Sequence, residues 1–289
     1  MSGSAVADAR PVAGAAPPTT RTTPPSWKQA IILARFQLRD YLRAFRFSLM
    51  MGIVGAIGVI ITILLVHFRP AVLHSASAFY GSFWTGGVVF VMVVAVIIYG
   101  GDAIAGEFQN RTGYFLLGLP VRRAAVYAGK FLASFAACVV AVLFYLAILV
   151  ADASYFLGGG AVSDPGQLVA SLGLALLYLL AVLGTAFLFS SLFKQSLFGV
   201  LVVLFMFLIG WNILTSVVTS LFQTEPWFVI SYAAPVIGYP LTGTPQHLVR
   251  FGALVSYSPT LGEGIAIMLG YFVVTSLLGL LLFEREEFT

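Results

Sequence analysis

The sequence predicts an all-α polytopic membrane protein: six transmembrane helices preceded by an amphipathic interfacial elbow helix, with short non-spanning helices between spans five and six. The first observation behind this prediction is composition. Of the 289 residues, 60% are hydrophobic and 9% are charged, whereas soluble proteins average roughly 25% charged residues. The second observation is the distribution of charged residues. They are separated by apolar stretches of about twenty residues, the length that a helix needs to cross the hydrocarbon core.

The N-terminal region combines a polar tail with a basic amphipathic segment. Residues 1–25 are rich in Ala, Pro, Thr and Ser without an apolar run, which predicts a disordered cytosolic tail. Ser26 is a suitable N-cap, and apolar and basic residues then recur at spacings of three and four over 27–45, as in a helix that lies at the membrane interface. The alternative is that Arg43 and Arg46 only anchor the next span.

Apolar stretches divide the rest of the chain into one transmembrane domain, residues 26–289. The predicted spans are 47–66, 79–101, 131–150, a helix within 167–193, 197–220 and 264–283. These stretches contain no charged side chain, which argues against a proton-driven or ion-driven carrier. Prolines interrupt the apolar pieces of residues 225–263, so this segment is predicted to form re-entrant or surface helices on the outer side.

The placement of basic residues predicts orientation. Of the 15 Lys and Arg residues, all except Arg69 and Arg250 fall on one side of the six-span topology. Cytosolic loops carry the excess of Lys and Arg, so the protein is expected to be a multi-pass protein of the cell membrane with cytosolic N- and C-termini. Topology and contact with membrane lipids explain the net charge of +4, and no nucleic-acid partner is expected.

The longest polar interruption is the loop 102–130, DAIAGEFQNRTGYFLLGLPVRRAAVYAGK. Acidic residues come first, basic residues cluster near its end, and a short amphipathic piece lies between them, a layout typical of a docking element. The loop resembles the first cytosolic loop of type-2 ATP-binding-cassette (ABC) exporter permeases, and the number and order of spans extend the resemblance over about residues 28–289. The residues that carry it are Asp102, Glu107, Arg111, Thr112, Gly113, Pro120, Arg122, Arg123 and Lys130.

The resemblance implies a function and partners. In that family the loop forms a coupling helix that sits in a groove of a separate ATPase subunit. This chain is then expected to be the permease subunit of an ABC exporter, acting as a homodimer, with ATP and Mg bound by the ATPase partner and no cofactor of its own. Glu107 is the expected acidic contact and a partner for Arg111 at the (i, i+4) spacing. The alternative for the basic residues is that they are ordinary positive-inside anchors.

The sequence lacks three common motifs of catalytic and nucleotide-binding sites. The sequence contains no HExxH, GxSxG or GxxxxGK[ST] pattern, so no enzymatic activity is expected. The single Cys138 allows neither an intramolecular disulfide nor a multi-cysteine metal site. No metal site is expected, although His67 and His74 leave a metal pair as an alternative to interfacial polar residues. The competing functions are an ATP-independent secondary carrier and a membrane scaffold protein.

Polar residues within the first, second and fifth spans are candidates for a substrate pathway. Such a lining favours lipid-like, drug-like or peptide cargo over a small ion. Asn212 has the alternative of a hydrogen bond between helices. The candidates are Thr62, Thr85, Asn212 and Thr215.

Overall fold

The computed structural model describes residues 25–68, 75–109, 121–158, 164–251 and 254–285. Within these ranges, 6 helices are long and apolar enough to cross a membrane, which confirms the predicted fold class. In chain order the helices are α1 (Ser26–Arg43), α2 (Phe45–Phe68), α3 (residues 76–100), α4 (Arg123–Leu157), α5 (Pro165–Leu192), α6 (Ser196–Leu221), α7 (Ile230–Ala233), α8 (Tyr239–Thr242) and α9 (Leu261–Arg285).

The segment between α6 and α9 is only partly helical. The predicted short helices are present as α7 and α8, joined by the 3-10 helix Ala234–Gly238. After α8 the chain forms an antiparallel hairpin of β1 (Leu248–Phe251) and β2 (Leu254–Tyr257), in a segment for which only short helices were predicted.

Helix α1 lies where the elbow helix was predicted, and it packs against α4. It ends at Ala44, whose extended backbone separates it from α2. Trp27 and Phe36 are exposed, whereas Ala30 is buried, as the amphipathic pattern predicts. A Cβ atom at Gly129 of α4 would lie 2.9 Å from the Ala30 carbonyl oxygen, so the two backbones touch. The location of the exposed face at a membrane interface stays a prediction.

Three helices form the core of the bundle. The apolar stretch of α3 is 67% buried and that of α5 is 56% buried, with α4 at 44%. By contrast, the stretches of α6 and α9 are only 17% buried and that of α2 is 28% buried. Helices α2, α6 and α9 therefore present most of their apolar surface outward, towards lipid or another subunit.

Polar and close contacts join several elements at one end of the bundle, called here the hairpin end. Trp84 of α3 is fully buried, and its Nε1 donates to Ser171 Oγ of α5 at 2.8 Å. Ser171 Oγ donates in turn to the Ile237 carbonyl at 2.5 Å. Gly264 near the start of α9 lies directly against Val236, without room for a side chain. The segment after α6 is thereby fixed on the ends of α3, α5 and α9.

Helix α4 is longer than its predicted span of 131–150. It continues to Leu157 and ends at Gly158, which has a φ of 59°. Asp152 therefore lies inside the helix, is 8% exposed, and accepts a 3.0 Å hydrogen bond from Thr62 Oγ1. The predicted span 131–150 itself contains no charged residue. The flanking Lys130 and Asp152 fall within the same helix because its 35 residues extend about 50 Å and exceed the roughly 30 Å hydrocarbon core.

Candidate coupling site

The segment 101–109, called here the coupling segment, lies at the opposite end of the bundle, the loop end. The chain leaves the α3 axis through turns at 101–104 and forms a short helix, Ala105–Gln109. The backbone amides of Ile104 and Ala105 donate to Ser190 Oγ of α5 at 3.0 and 3.1 Å. Ser190 is fully buried, so a hydroxyl of a core helix satisfies the two amides where the short helix begins.

Asp102 connects the coupling segment to the start of α2. Both terminal nitrogens of Arg46 donate to its carboxylate, at 3.0 Å to Oδ1 and 2.6 Å to Oδ2. The Asp102 side chain is 11% exposed. A two-pronged guanidinium–carboxylate pair fixes relative orientation as well as distance, so the first turn of α2 is held to the segment.

Lys130 connects the coupling segment to α4. It is 7% exposed, and its Nζ donates to the Ala103 carbonyl at 2.9 Å and to Glu107 Oε1 at 2.5 Å. The structure therefore gives Glu107 a partner 23 residues away. Its expected local partner Arg111 lies outside the described residues.

The far end of the segment reaches α6. Gln109 Oε1 accepts a 2.8 Å hydrogen bond from the Ser196 amide, in the first turn of that helix. Ser196 Oγ also lies 3.4 Å from Asp102 Oδ2. The coupling segment thus contacts α2, α4, α5 and α6 through polar groups, while it continues α3 by covalent connection.

The two arginines at the start of α4 differ in their roles. Arg123 donates from a guanidinium nitrogen to the Glu284 carbonyl at 2.8 Å, placing a cation at the C-terminal end of α9, where the helix dipole favours one. The Arg122 amide donates to Gln29 Oε1 of α1 at 3.3 Å. Its side chain is exposed and makes no hydrogen bond or ion pair with any part of the chain that the structure describes.

The structure brings together five of the residues that the loop pattern singled out. Asp102, Glu107, Arg122, Arg123 and Lys130 lie at the loop end. The other four fall in 110–120, outside the described residues: Arg111, Thr112, Gly113 and Pro120.

The candidate pathway residues have separate surroundings. Thr62 binds Asp152, and the buried Thr85 hydroxyl has no hydrogen-bond partner among the described residues. Asn212 and Thr215 each donate to a carbonyl one turn earlier in α6, so the Asn212 amide binds within its own helix. No hydrogen bond among these residues joins the three helices that carry them, and a shared polar lining stays a prediction.

A comparison with known proteins identifies one family. The sequence model described as ABC-2 family transporter protein matches residues 32–288, which takes in all the candidate spans. No curated protein matches the chain.

Proposed function

Since the chain belongs to the ABC-2 family of transporter proteins, we propose that it is the permease subunit of an exporter whose separate ATPase subunit acts through the loop 102–130. The chain itself is a multi-pass membrane transport subunit. Under this proposal the partner binds ATP and Mg and performs the hydrolysis. The permease forms the pathway.

One observation supports the coupling role most strongly: hydrogen bonds and ion pairs join the coupling segment to four different helices. A docking element transmits a displacement only if its own position relative to the helices is fixed. Asp102, Glu107 and Gln109 bind α2, α4 and α6, and Ser190 of α5 binds the amides of the same segment. Two of these links are charge-assisted, the stronger class of hydrogen bond.

Arg122 is the best candidate for direct contact with the ATPase. Its exposed guanidinium is available for an acidic surface, whereas Lys130 and Glu107 bind each other. The loop end also carries most of the basic residues, which favours its location in the cytosol, where an ATPase subunit would dock.

A second copy of this chain completes the proposed transporter. Helices α2, α6 and α9 leave most of their apolar surface uncovered, and exposed residues such as Leu201 and Phe205 of α6 offer area for helix packing in the membrane. Under this proposal the pathway lies between the two copies.

The test is a charge reversal at Arg122, written Arg122→Glu. The variant and the wild-type chain are purified in detergent, matched for monodispersity, and assayed for co-purification with the ATPase encoded beside them and for substrate-stimulated hydrolysis. Reversing a charge that faces an acidic surface should weaken association about tenfold, or 1.4 kcal/mol. The matched control is Arg39→Glu, an exposed basic residue of α1.

The control separates docking from anchoring. If Arg122 only anchors the chain, Arg122→Glu and Arg39→Glu should change insertion alike and leave ATPase binding intact. A wild-type chain that hydrolyses ATP unaided, or that transports without any ATPase, would show that the proposed function is wrong.

A further inference from the structure

Three potential metal ligands converge at the hairpin end, although they are far apart in sequence. Glu225 follows α6, His247 precedes β1, and Glu263 lies in the first turn of α9. One ligand atom from each residue lies within 4.8 Å of the other two. Because the residues come from three separate parts of the chain, a bound ion would join the end of α6, the base of the hairpin and the start of α9.

The hydrogen bonding of His247 determines which ring nitrogen is available. Nδ1 lies 2.7 Å from the Ser258 carbonyl oxygen, which has only lone pairs, so Nδ1 carries a hydrogen and donates it. The other nitrogen, Nε2, points at Glu225, 2.8 Å from Oε1. Metal-binding histidines commonly use one nitrogen as the ligand and bind a backbone carbonyl with the other, and His247 has this arrangement.

Glu263 is also oriented by a hydrogen bond outside the cluster. Its Oε2 accepts from the Thr260 amide at 2.8 Å, and the Glu263 amide lies 3.3 Å from Thr260 Oγ1. This reciprocal pair is a capping box at the start of α9. The carboxylate is therefore held at the helix terminus with one oxygen engaged, as is typical of ligating carboxylates.

We propose that Glu225, His247 and Glu263 bind a divalent transition-metal ion of the zinc class. An imidazole with two carboxylates is a donor set that suits Zn²⁺, with a fourth position left for water. Bonds of 2.0–2.2 Å in tetrahedral geometry put neighbouring ligand atoms about 3.3 Å apart. The His247–Glu225 pair must open by about half an ångström, and the widest separation must close by roughly 1.5 Å.

Those displacements are within reach of the side chains. The side chains of His247 and Glu225 are 43% and 34% exposed, so neither is locked by packing. The ion then ties the end of α6, the base of the hairpin and the start of α9 to one another. The segment between α6 and α9 would then gain a cross-link in addition to its hydrogen bonds, such as the one from Tyr257 Oη to the Gln223 carbonyl.

The experiment measures Zn²⁺ binding to the full chain. The protein is purified in detergent with a histidine-free tag, passed over a chelating resin, and titrated with ZnCl₂ in a calorimeter. We expect one Zn²⁺ per chain, and at least tenfold weaker binding in His247→Gln and Glu263→Gln. Glutamine preserves the capping box at position 263, so the second variant removes a ligand charge without removing the helix cap.

Matched controls replace a histidine and a carboxylate residue elsewhere in the chain. His67 and Asp164 are exposed residues outside the cluster, and His67→Gln and Asp164→Asn should bind Zn²⁺ within twofold of the wild type. The absence of saturable binding, or equal binding in His247→Gln, would overturn the proposal.

X-ray absorption at the zinc edge of the loaded wild-type chain gives a second test that needs no variant. A first shell of nitrogen and oxygen with a single imidazole agrees with the site. Sulfur from Cys138, or two imidazoles, would place the ion elsewhere and overturn it.

Discussion

Replacement of Lys130 by Met tests whether the polar links of the coupling segment are structural. The side chain length is similar, but the charge is lost. Glu107, with a side chain 18% exposed, would keep its carboxylate without this cation, and the Ala103 carbonyl would lose its 2.9 Å donor.

The magnitude follows from the burial of the two partners. Removing one partner of a buried ion pair costs about 3–5 kcal/mol, and residual water access to Glu107 puts the expected cost at the lower limit. The lost hydrogen bond to Ala103 adds about 1 kcal/mol. We therefore expect Lys130→Met to lower the free energy of unfolding by roughly 3–4 kcal/mol, and to reduce stimulation of the partner ATPase because the coupling segment is loosened.

The assay is a double-mutant cycle with Glu107→Gln, measured by unfolding in mixed micelles followed by circular dichroism. The doubly substituted chain lacks both charges of the pair, so a coupling energy of about 1–3 kcal/mol should appear. Lys194→Met, an exposed basic residue between α5 and α6, should stay within about 0.5 kcal/mol of the wild type. A coupling energy near zero would refute the argument that the ion pair holds the segment.

Two further substitutions test other contacts of the same region. Arg46→Lys keeps the charge but loses the two-pronged contact with Asp102. We expect the free energy of unfolding to fall by about 1 kcal/mol in the same micelle assay, and stimulation of the ATPase to weaken. Wild-type values of both quantities would contradict a role for the two-pronged contact. Gly129→Ala places a Cβ 2.9 Å from the Ala30 carbonyl and should cost about 1–3 kcal/mol in thermal unfolding as α1 shifts. Gly173→Ala, whose Cβ would meet nothing within 4 Å, is the control, and equal effects at both positions would contradict the close contact.

The spans and the helix α1 were predictable because the forces that determine them act between residues close in sequence. A stretch such as 47–66 is long and apolar enough to need no further information, and its helix is Phe45–Phe68. The periodicity of 27–45 likewise predicted α1. The hairpin was missed although Gly252-Ala253 stands between two runs containing Val, a recognisable hairpin signal, because the nearby prolines favoured short helices.

The partners within the coupling site were less predictable. The (i, i+4) rule favoured Arg111 for Glu107, worth a few tenths of a kcal/mol on an exposed helix. Arg111 lies outside the described residues, so that pairing stays a prediction. Among the described residues Lys130 contacts Glu107, and the two side chains are 9% and 18% exposed, a partly buried setting in which ionic contacts are stronger. Only the packing of α4 against α3 brings the two together. In the sequence, Ser190 does not differ from the other small residues of its span. Its role as a helix cap depends on the approach of the coupling segment, which is distant in sequence.

The distribution of polar links indicates where a push on the coupling segment would go. Asp102 contacts Arg46 at the start of α2 and Ser196 at the start of α6. Helices α2 and α6 are two of the three spans whose apolar stretches are mostly exposed. Helices α4 and α5 are packed on several sides, and rearranging a close-packed core is costly. On the proposed two-copy arrangement, a displacement of the coupling segment would therefore reach α2 and α6, the surfaces that face the second copy, with the least internal resistance. Under that proposal, α2 and α6, the two helices that Asp102 contacts, would control the route between the copies.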